Sequence, residues 1–308
     1  MSHEHHEHHE HHGHHHHHHV AADNGQMRRI LWIAIILNLF FVGVEAGVGL
    51  WQDSLSLLSD AGHNLSDVFS LVLVVVGLHL VKVHSNEHYT YGYKKSTILI
   101  SLANALLLLV AVGVIVAESV HKLREPAPID GTVISWTAGV GILINGLTTV
   151  LLMRGQKGDL NIRGAFLHMA ADTLVSIGVV ISGIVIKHTG WFIIDPIISM
   201  VIAVVILVST WDLLRDSIRL ALDGVPEGIE VDEVAELMRD TEHVTDVHHL
   251  HIWAMSTTEN ALTAHVVVDD EHEAAVVRKA LKEALSEHGI THATIEIESG
   301  DACCDKEC

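Results

Sequence analysis

The chain has 308 residues, 49% of them hydrophobic and 18% charged, with a mean hydropathy of +0.36 and a formal net charge of -20 when histidine is neutral. Apolar residues gathered in long runs exclude an ordinary soluble domain and imply a polytopic membrane protein with a polar portion attached. The acidic balance excludes a nucleic-acid partner, which needs basic patches, and together with 28 histidines it favours a cationic ligand.

The N-terminus, MSHEHHEHHEHHGHHHHHHV, has no apolar stretch before Val20 and is not a secretory signal. Its composition is that of a low-complexity metal-binding tract. The closing six-histidine run is also what an affinity tag would contribute, but the HHE repeat before it is not. Residues 1-27 are read as a disordered cytoplasmic tail.

Six apolar segments follow, at about 28-51, 55-82, 95-121, 132-154, 162-187 and 194-215, each long enough for the roughly 20 residues that cross a bilayer. Arg28, Arg29, Lys82, Lys94, Lys95, Arg154, Lys157, Arg163, Arg215 and Arg219 fall on one side, and only Lys122, Arg124 and Lys187 on the other. This bias places both termini in the cytoplasm, in the inner (plasma) membrane of a cell. LDGVPEG at 222-228 then forms a hinge between a membrane domain over 28-221 and a polar domain over 222-300. There, helical spacing at 230-241 and 272-288 and alternation at 247-254, 261-269 and 293-298 predict a small α+β, ferredoxin-like unit. All three cysteines lie in the closing CCDKEC, within a tail over 301-308, so no disulfide framework is expected and a cytoplasmic tail would keep them as thiols.

The second segment carries an unexpected stretch, SDAGHNLSD at 59-67, and the fifth carries HMAAD at 168-172. A charge at mid-bilayer costs roughly 2.5 to 3.5 kcal/mol or more, so ionisable groups there are functional by default. Both stretches contain His-x3-Asp, and residues four apart share one helix face about 6 Å apart along the axis. His63 and Asp67 therefore converge, as do His168 and Asp172. Two pairs facing one another form an N2O2 set suited to tetrahedral Zn(II) and tolerant of Co(II), Cd(II) or Fe(II), without the sulfur that selects Cu(I). Hydrogen bonding between helices is the plainer role for one such histidine; two matched pairs favour a metal. Asp60, one turn before His63, is either an outer-shell acceptor for an imidazole N–H, a proton-handling group or a polar helix contact.

Asn38 and Glu45 share a face of the first segment and suggest a polar lining or interhelical bonds, while Asn104 and Asn145 are read as contacts between helices. Asp195-Pro196 matches an N-cap followed by proline. No G-x4-G-K-[ST] phosphate loop points to ATP, and no H-E-x-x-H supports an intramembrane zinc protease, although LDG at 222-224 is shared with one of its motifs. The chain reads as a transporter and not an enzyme, with no organic cofactor. A membrane-bound metal sensor that binds without transporting is the alternative.

Taken together, LLSDAGHNLSD, HMAAD, YTYGYKK, DGVPEG, VHHLHIW, TAHV and ITHATIEIE resemble the cation diffusion facilitators, and among them the bacterial zinc-efflux members with histidine-rich N-termini. The resemblance runs from Arg28 to Glu298. It implies a homodimer that exports Zn(II), with Cd(II) and Co(II) as further substrates, in exchange for protons, with His63, Asp67, His168 and Asp172 as the transport site. It also implies a regulatory metal site in the cytoplasmic domain, at a dimer interface, on His248, His265, His292 and Glu298, with Cys303, Cys304 and Cys308 similar to tails that complete such sites. Some members bind a second ion in the loop after the second helix. Here Tyr89 and Tyr93 stand at the expected histidines, leaving His84 and His88 as substitutes or as solvated loop residues.

Overall fold

The computed structural model describes residues 24-51, 55-124, 131-191 and 193-299. Six long helices come first: α1 (Asn24–Trp51), α2 (Leu55–Leu80), α3 (Ser96–Arg124), α4 (Gly131–Leu152), α5 (Leu160–Thr189) and α6 (Ile194–Ala221). They fall on the six predicted segments. Among the described residues α1, α3, α5 and α6 are long and apolar enough to cross a membrane, and α2 and α4 contribute the apolar stretches Asp67–Leu80 and Gly139–Leu152.

The bundle reverses the usual order of a soluble protein. Phe40, Leu143, Val150, Val201 and Val208 point outward, as a lipid-facing surface requires, while Asn38, Glu45, Asn64, Asp67, Asn104, Asn145 and His168 are buried. Leu31, Val68, Leu71, Val74, Ile162, Ala165 and Met169 join α1, α2 and α5 in one apolar cluster, and Leu108, Val112, Ala171, Ala203 and Leu213 join α3, α5 and α6 in another.

Helix α5 is well delimited. Asp159 caps its first turn by accepting from the Asn161 backbone N–H at 2.8 Å, and Gly190, at φ 68°, ends it in the left-handed conformation that glycine adopts without strain. Burial pushes the Asp159 carboxyl above its ordinary pKa. Helix α6 begins two residues earlier than the Asp195-Pro196 pair predicts. Its cap is Ile193, and Pro196 sits in the first turn, where a missing N–H costs nothing.

The C-terminal part runs α7 (Val231–Arg239), β1 (Val244–Ala254), β2 (Asn260–Val268), a short 3-10 turn at Glu271–Glu273, α8 (Ala274–Glu287) and β3 (Ile290–Ser299). The sheet order is β1-β2-β3, with β1 antiparallel to β2 and β2 parallel to β3 through the α8 crossover. This is a ferredoxin-like arrangement without that unit's first strand, so β3 pairs directly with β2. One face of the sheet is covered: Leu262, Ala264 and Val266 of β2 pack with Met238 of α7 and Val277, Leu281 and Leu285 of α8. The alternate residues, including His265, Glu296 and Glu298, occupy the other face. At one edge of the unit His243, at φ 69°, shares a 3.0 Å hydrogen bond with Asp269, which raises the imidazole above its ordinary pKa.

The β1-β2 turn seats this domain against the bundle. The Thr257 backbone N–H donates to Thr97 Oγ1 at 3.1 Å, Asn161 Nδ2 donates to Thr257 Oγ1 at 3.2 Å, and Ala254 packs with Ile98 and Leu220. Lys94 pairs with Glu259, and Lys95 with Asp223 at 2.6 Å. The basic ends of the α2-α3 connection therefore lie on the same side as the acidic domain.

Candidate metal centres

Packing of α2 against α5 brings Asp67, His168 and Asp172 together. The His168 Nε2 and Asp67 Oδ1 atoms are 2.8 Å apart, Asp172 Oδ2 lies 4.0 Å from the same nitrogen, and one ligand atom from each residue falls within 4.8 Å of the others. Asp67 and His168 are 2% and 7% exposed, which removes them from bulk water. At 2.8 Å a single proton shared between His168 Nε2 and Asp67 Oδ1, carried by either one, makes the contact a hydrogen bond. That nitrogen and that oxygen carry the lone pairs through which a cation could be held. Proton and metal are thus alternatives at the same atoms. His63 lies one turn before Asp67 on α2 and Asp60 one turn before His63; both side chains fall outside the described residues.

A neighbouring polar contact was only half legible in the sequence. Glu45 of α1 accepts from Asn64 Nδ2 of α2 at 2.7 Å, with both residues buried, three positions before Asp67. Asn38, expected on the same face, instead donates to Ala34 O of its own helix at 2.9 Å. Asn104 packs its amide beside Gly164 of α5, whose missing side chain allows the approach, and makes no hydrogen bond among the described residues. Removing the Glu45 carboxylate would orphan the Asn64 amide in an apolar interior, at a cost of about 1-3 kcal/mol. Glu45→Ala is therefore expected to lower the thermal midpoint, whereas Glu45→Gln, which keeps a carbonyl acceptor, retains it. Equal midpoints for the two variants would remove the hydrogen bond from the account.

The second group is on the open face of the sheet. His248 and His265 are directly paired across β1 and β2, and Glu298 of β3 reaches both: Oε1 lies 2.6 Å from His265 Nδ1 and Oε2 lies 3.3 Å from His248 Nε2. These three also place ligand atoms within 4.8 Å of one another. Glu296 adds a carboxylate 3.6 Å from His265 Nε2. His292 is not brought to this cluster within one chain. It pairs with Ala261, six residues before Glu298 on β3, which is about 20 Å along a strand. Its ring rests edge-on against Tyr91, with centroids 5.6 Å apart. Cys303, Cys304, Cys308 and the histidine tract lie outside the described residues.

The loop pair His84 and His88 does not share a helix face, because residues 81-95 form turns and irregular backbone. Asn86 Oδ1 accepts from the backbone N–H groups of His88 and Tyr89, both at 2.9 Å, and both histidines are exposed. Tyr89 and Tyr93 stack on each other at 4.8 Å. Among the described residues neither histidine belongs to a group of three ligands.

Residues 31-220 match the cation efflux transmembrane domain, and residues 226-300 match the cytoplasmic domain of cation efflux proteins. The chain is 34% identical over 282 residues to a cadmium, cobalt and zinc/H(+)-K(+) antiporter of Bacillus subtilis, covering 90% of this chain and 91% of that one. It is 35% identical over 276 residues to the metal cation efflux system protein CzcD of Cupriavidus metallidurans, at 89% and 87% coverage. It is 34% identical over 279 residues to the zinc transporter ZitB of Escherichia coli, at 90% and 88% coverage. A helical membrane domain followed by a mixed-sheet cytoplasmic domain is the architecture these matches describe, and the chain belongs to the cation efflux family.

Proposed function

We propose that this protein is a secondary transporter that exports Zn(II), with Cd(II) and Co(II) as further substrates, from the cytoplasm in exchange for protons. The observation that carries the proposal is the buried Asp67-His168-Asp172 set, in which a proton and a cation would compete for the same imidazole nitrogen and carboxylate oxygen. His63 is the fourth ligand in this reading, and Asp60 an outer-shell group. Facing the cytoplasm, the site exchanges its protons for Zn(II); facing outward, protons return to the imidazoles and carboxylates and release the ion. The names of the relatives, which include zinc, cadmium, cobalt and H(+)-K(+) exchange, support the same reading.

The working unit is a homodimer in the plasma membrane with both termini in the cytoplasm. The Lys94-Glu259 and Lys95-Asp223 pairs support that orientation, because they hold the soluble domain on the side with the lysine and arginine excess. Residues 28-221 transport, residues 222-300 sense metal through His248, His265 and Glu298, and the N-terminal tract and the cysteine tail gather Zn(II) near the entrance. The cytoplasmic cluster also favours a second reading, a membrane sensor that binds metal without moving it.

The test is Zn(II) uptake into inside-out vesicles, followed with an enclosed metal-sensitive dye, with and without an imposed pH gradient. Accumulation that starts with the gradient and stops when an ionophore collapses it is the expected result. Binding without gradient-dependent accumulation would leave the sensor.

A further inference from the structure

Strand β1 breaks its own periodicity at HHLH. In a strand the side chains alternate, so residues reaching the core should be two or four apart, yet Val247 and Leu250 both pack into the core against α7 and α8. The extra residue lies between them. The register with β2 shifts between His248 and His251, and His249 takes φ +49°, a conformation that a residue with a Cβ adopts only when its surroundings impose it. The bulge puts two consecutive histidines outside the core side of the strand, on the face where His265 and Glu298 stand.

The three rings form a nearly regular triangle. Centroids are 5.3 Å apart for His248 and His249, 5.4 Å for His248 and His265, and 5.1 Å for His249 and His265. Three imidazoles on a tetrahedral Zn(II) have nitrogens about 2.0-2.1 Å from the metal and centroids about 1.1 Å further out, which puts each pair of centroids about 5.2 Å apart. His248 and His265 already have nitrogens within 4.8 Å of each other and of a Glu298 oxygen. A three-ligand group leaves one tetrahedral position open, and the His249 ring lies next to both histidine rings, with its nitrogens outside the 4.8 Å group.

We propose that His249 is the fourth ligand of the cytoplasmic metal site, giving a His3Glu set for a Zn(II)-class cation built from one chain. The inference rests on reading His248, His265 and Glu298 as a metal site. It assigns the bulge a purpose: the strained residue re-aims an imidazole that regular alternation would turn into the core. Like other strained backbone positions, it is maintained because the surrounding strand pairing holds it.

The test uses the full chain in detergent, on a background in which Asp67 and Asp172 are alanine, so that the transport site does not contribute. Co(II) is titrated and the visible absorption of a tetrahedral ion recorded, followed by competition with Zn(II). His249→Ala is expected to lose the tetrahedral signature and to weaken Zn(II) binding by no less than the roughly 10- to 100-fold that loss of an outer-shell partner costs. His249→Gly, which relieves the left-handed strain while also removing the imidazole, should weaken it equally. His265→Ala should abolish the signature.

If His249→Ala and His249→Gly both titrate like the parent while His265→Ala does not, the cytoplasmic site stands and His249 is not its ligand. Normal binding in His249→Gly but not in His249→Ala would make the residue structural and overturn the proposal. So would a thiolate-to-Co(II) charge-transfer band that persists in His249→Ala, since a cysteine of the tail then fills the position. If His265→Ala also titrates like the parent, the underlying reading fails with it.

Discussion

Vesicles carrying Asp67→Ala are expected to show roughly 100-fold less gradient-driven Zn(II) accumulation than the parent, or none. Even an outer-shell partner is worth about 10- to 100-fold in metal affinity, and in the proposed transport site Asp67 is a ligand as well as the hydrogen-bond partner of His168. Asp67→Asn separates the two roles. The amide can still hydrogen-bond to His168, through its oxygen or its NH2, so packing of α2 against α5 should survive, but the charge that balances the cation is gone. Transport should fall almost as far as in the alanine variant while the thermal midpoint stays close to the parent's. Near-normal accumulation in Asp67→Asn would show that the hydrogen-bonding geometry suffices without the charge, and near-normal accumulation in Asp67→Ala would remove Asp67 from the site. Combining Asp67→Ala with His168→Ala should cost little beyond either alone, because residues that act as one unit are not additive.

Leu281→Ala is expected to destabilise the cytoplasmic domain selectively. The side chain is fully buried in α8, in a cluster with Met238, Leu262, Val266 and Leu285, and its truncation costs about 2-5 kcal/mol. A domain of this size has only about 5-15 kcal/mol to lose. Limited proteolysis and the fluorescence of Trp253 on β1 should therefore report opening of residues 222-299 under conditions where the bundle stays intact. Lys282→Ala, one position on and exposed, should stay within about 0.5 kcal/mol of the parent. Because β1, β2 and β3 carry His248, His265 and Glu298, the metal binding proposed for this domain should fail together with the fold. A domain that stays protected in Leu281→Ala would mean that its contacts with the bundle, through Thr257, Ala254 and Lys94, supply most of its stability.

Much of this architecture is local and was legible without coordinates. Helices α1 to α6 follow from apolar runs of bilayer length, and the strands of the cytoplasmic domain from alternation, because both periodicities are set by a few consecutive residues. The pairing of His168 with Asp172 is of the same kind, since four residues on a helix are always neighbours. Long-range packing decided the rest. Whether the His-x3-Asp of α5 faced that of α2, or each pointed elsewhere, depended on how two helices roll against each other, and the 2.8 Å contact between Asp67 and His168 spans 101 positions. The same holds for Glu45, which found Asn64 on another helix while Asn38 turned back on its own.

The cytoplasmic histidines mark the boundary clearly. VHHLHIW and TAHV placed His248 and His265 as candidates, and their facing one another needed only the strand register. His292 read as their equal but sits six residues before Glu298 on the same strand, and the rise of an extended chain alone puts it about 20 Å away. His249 passed unnoticed, since alternation assigns it to the buried side and only a bulge, a tertiary compromise between strand pairing and core packing, turns it outward. Sequence alone determined the membrane bundle, the attached α+β domain and the chemistry of the ligands, because these depend on composition and near neighbours. Tertiary structure decided which ligands meet, because meeting requires elements far apart in the chain to pack in one particular rotation and register.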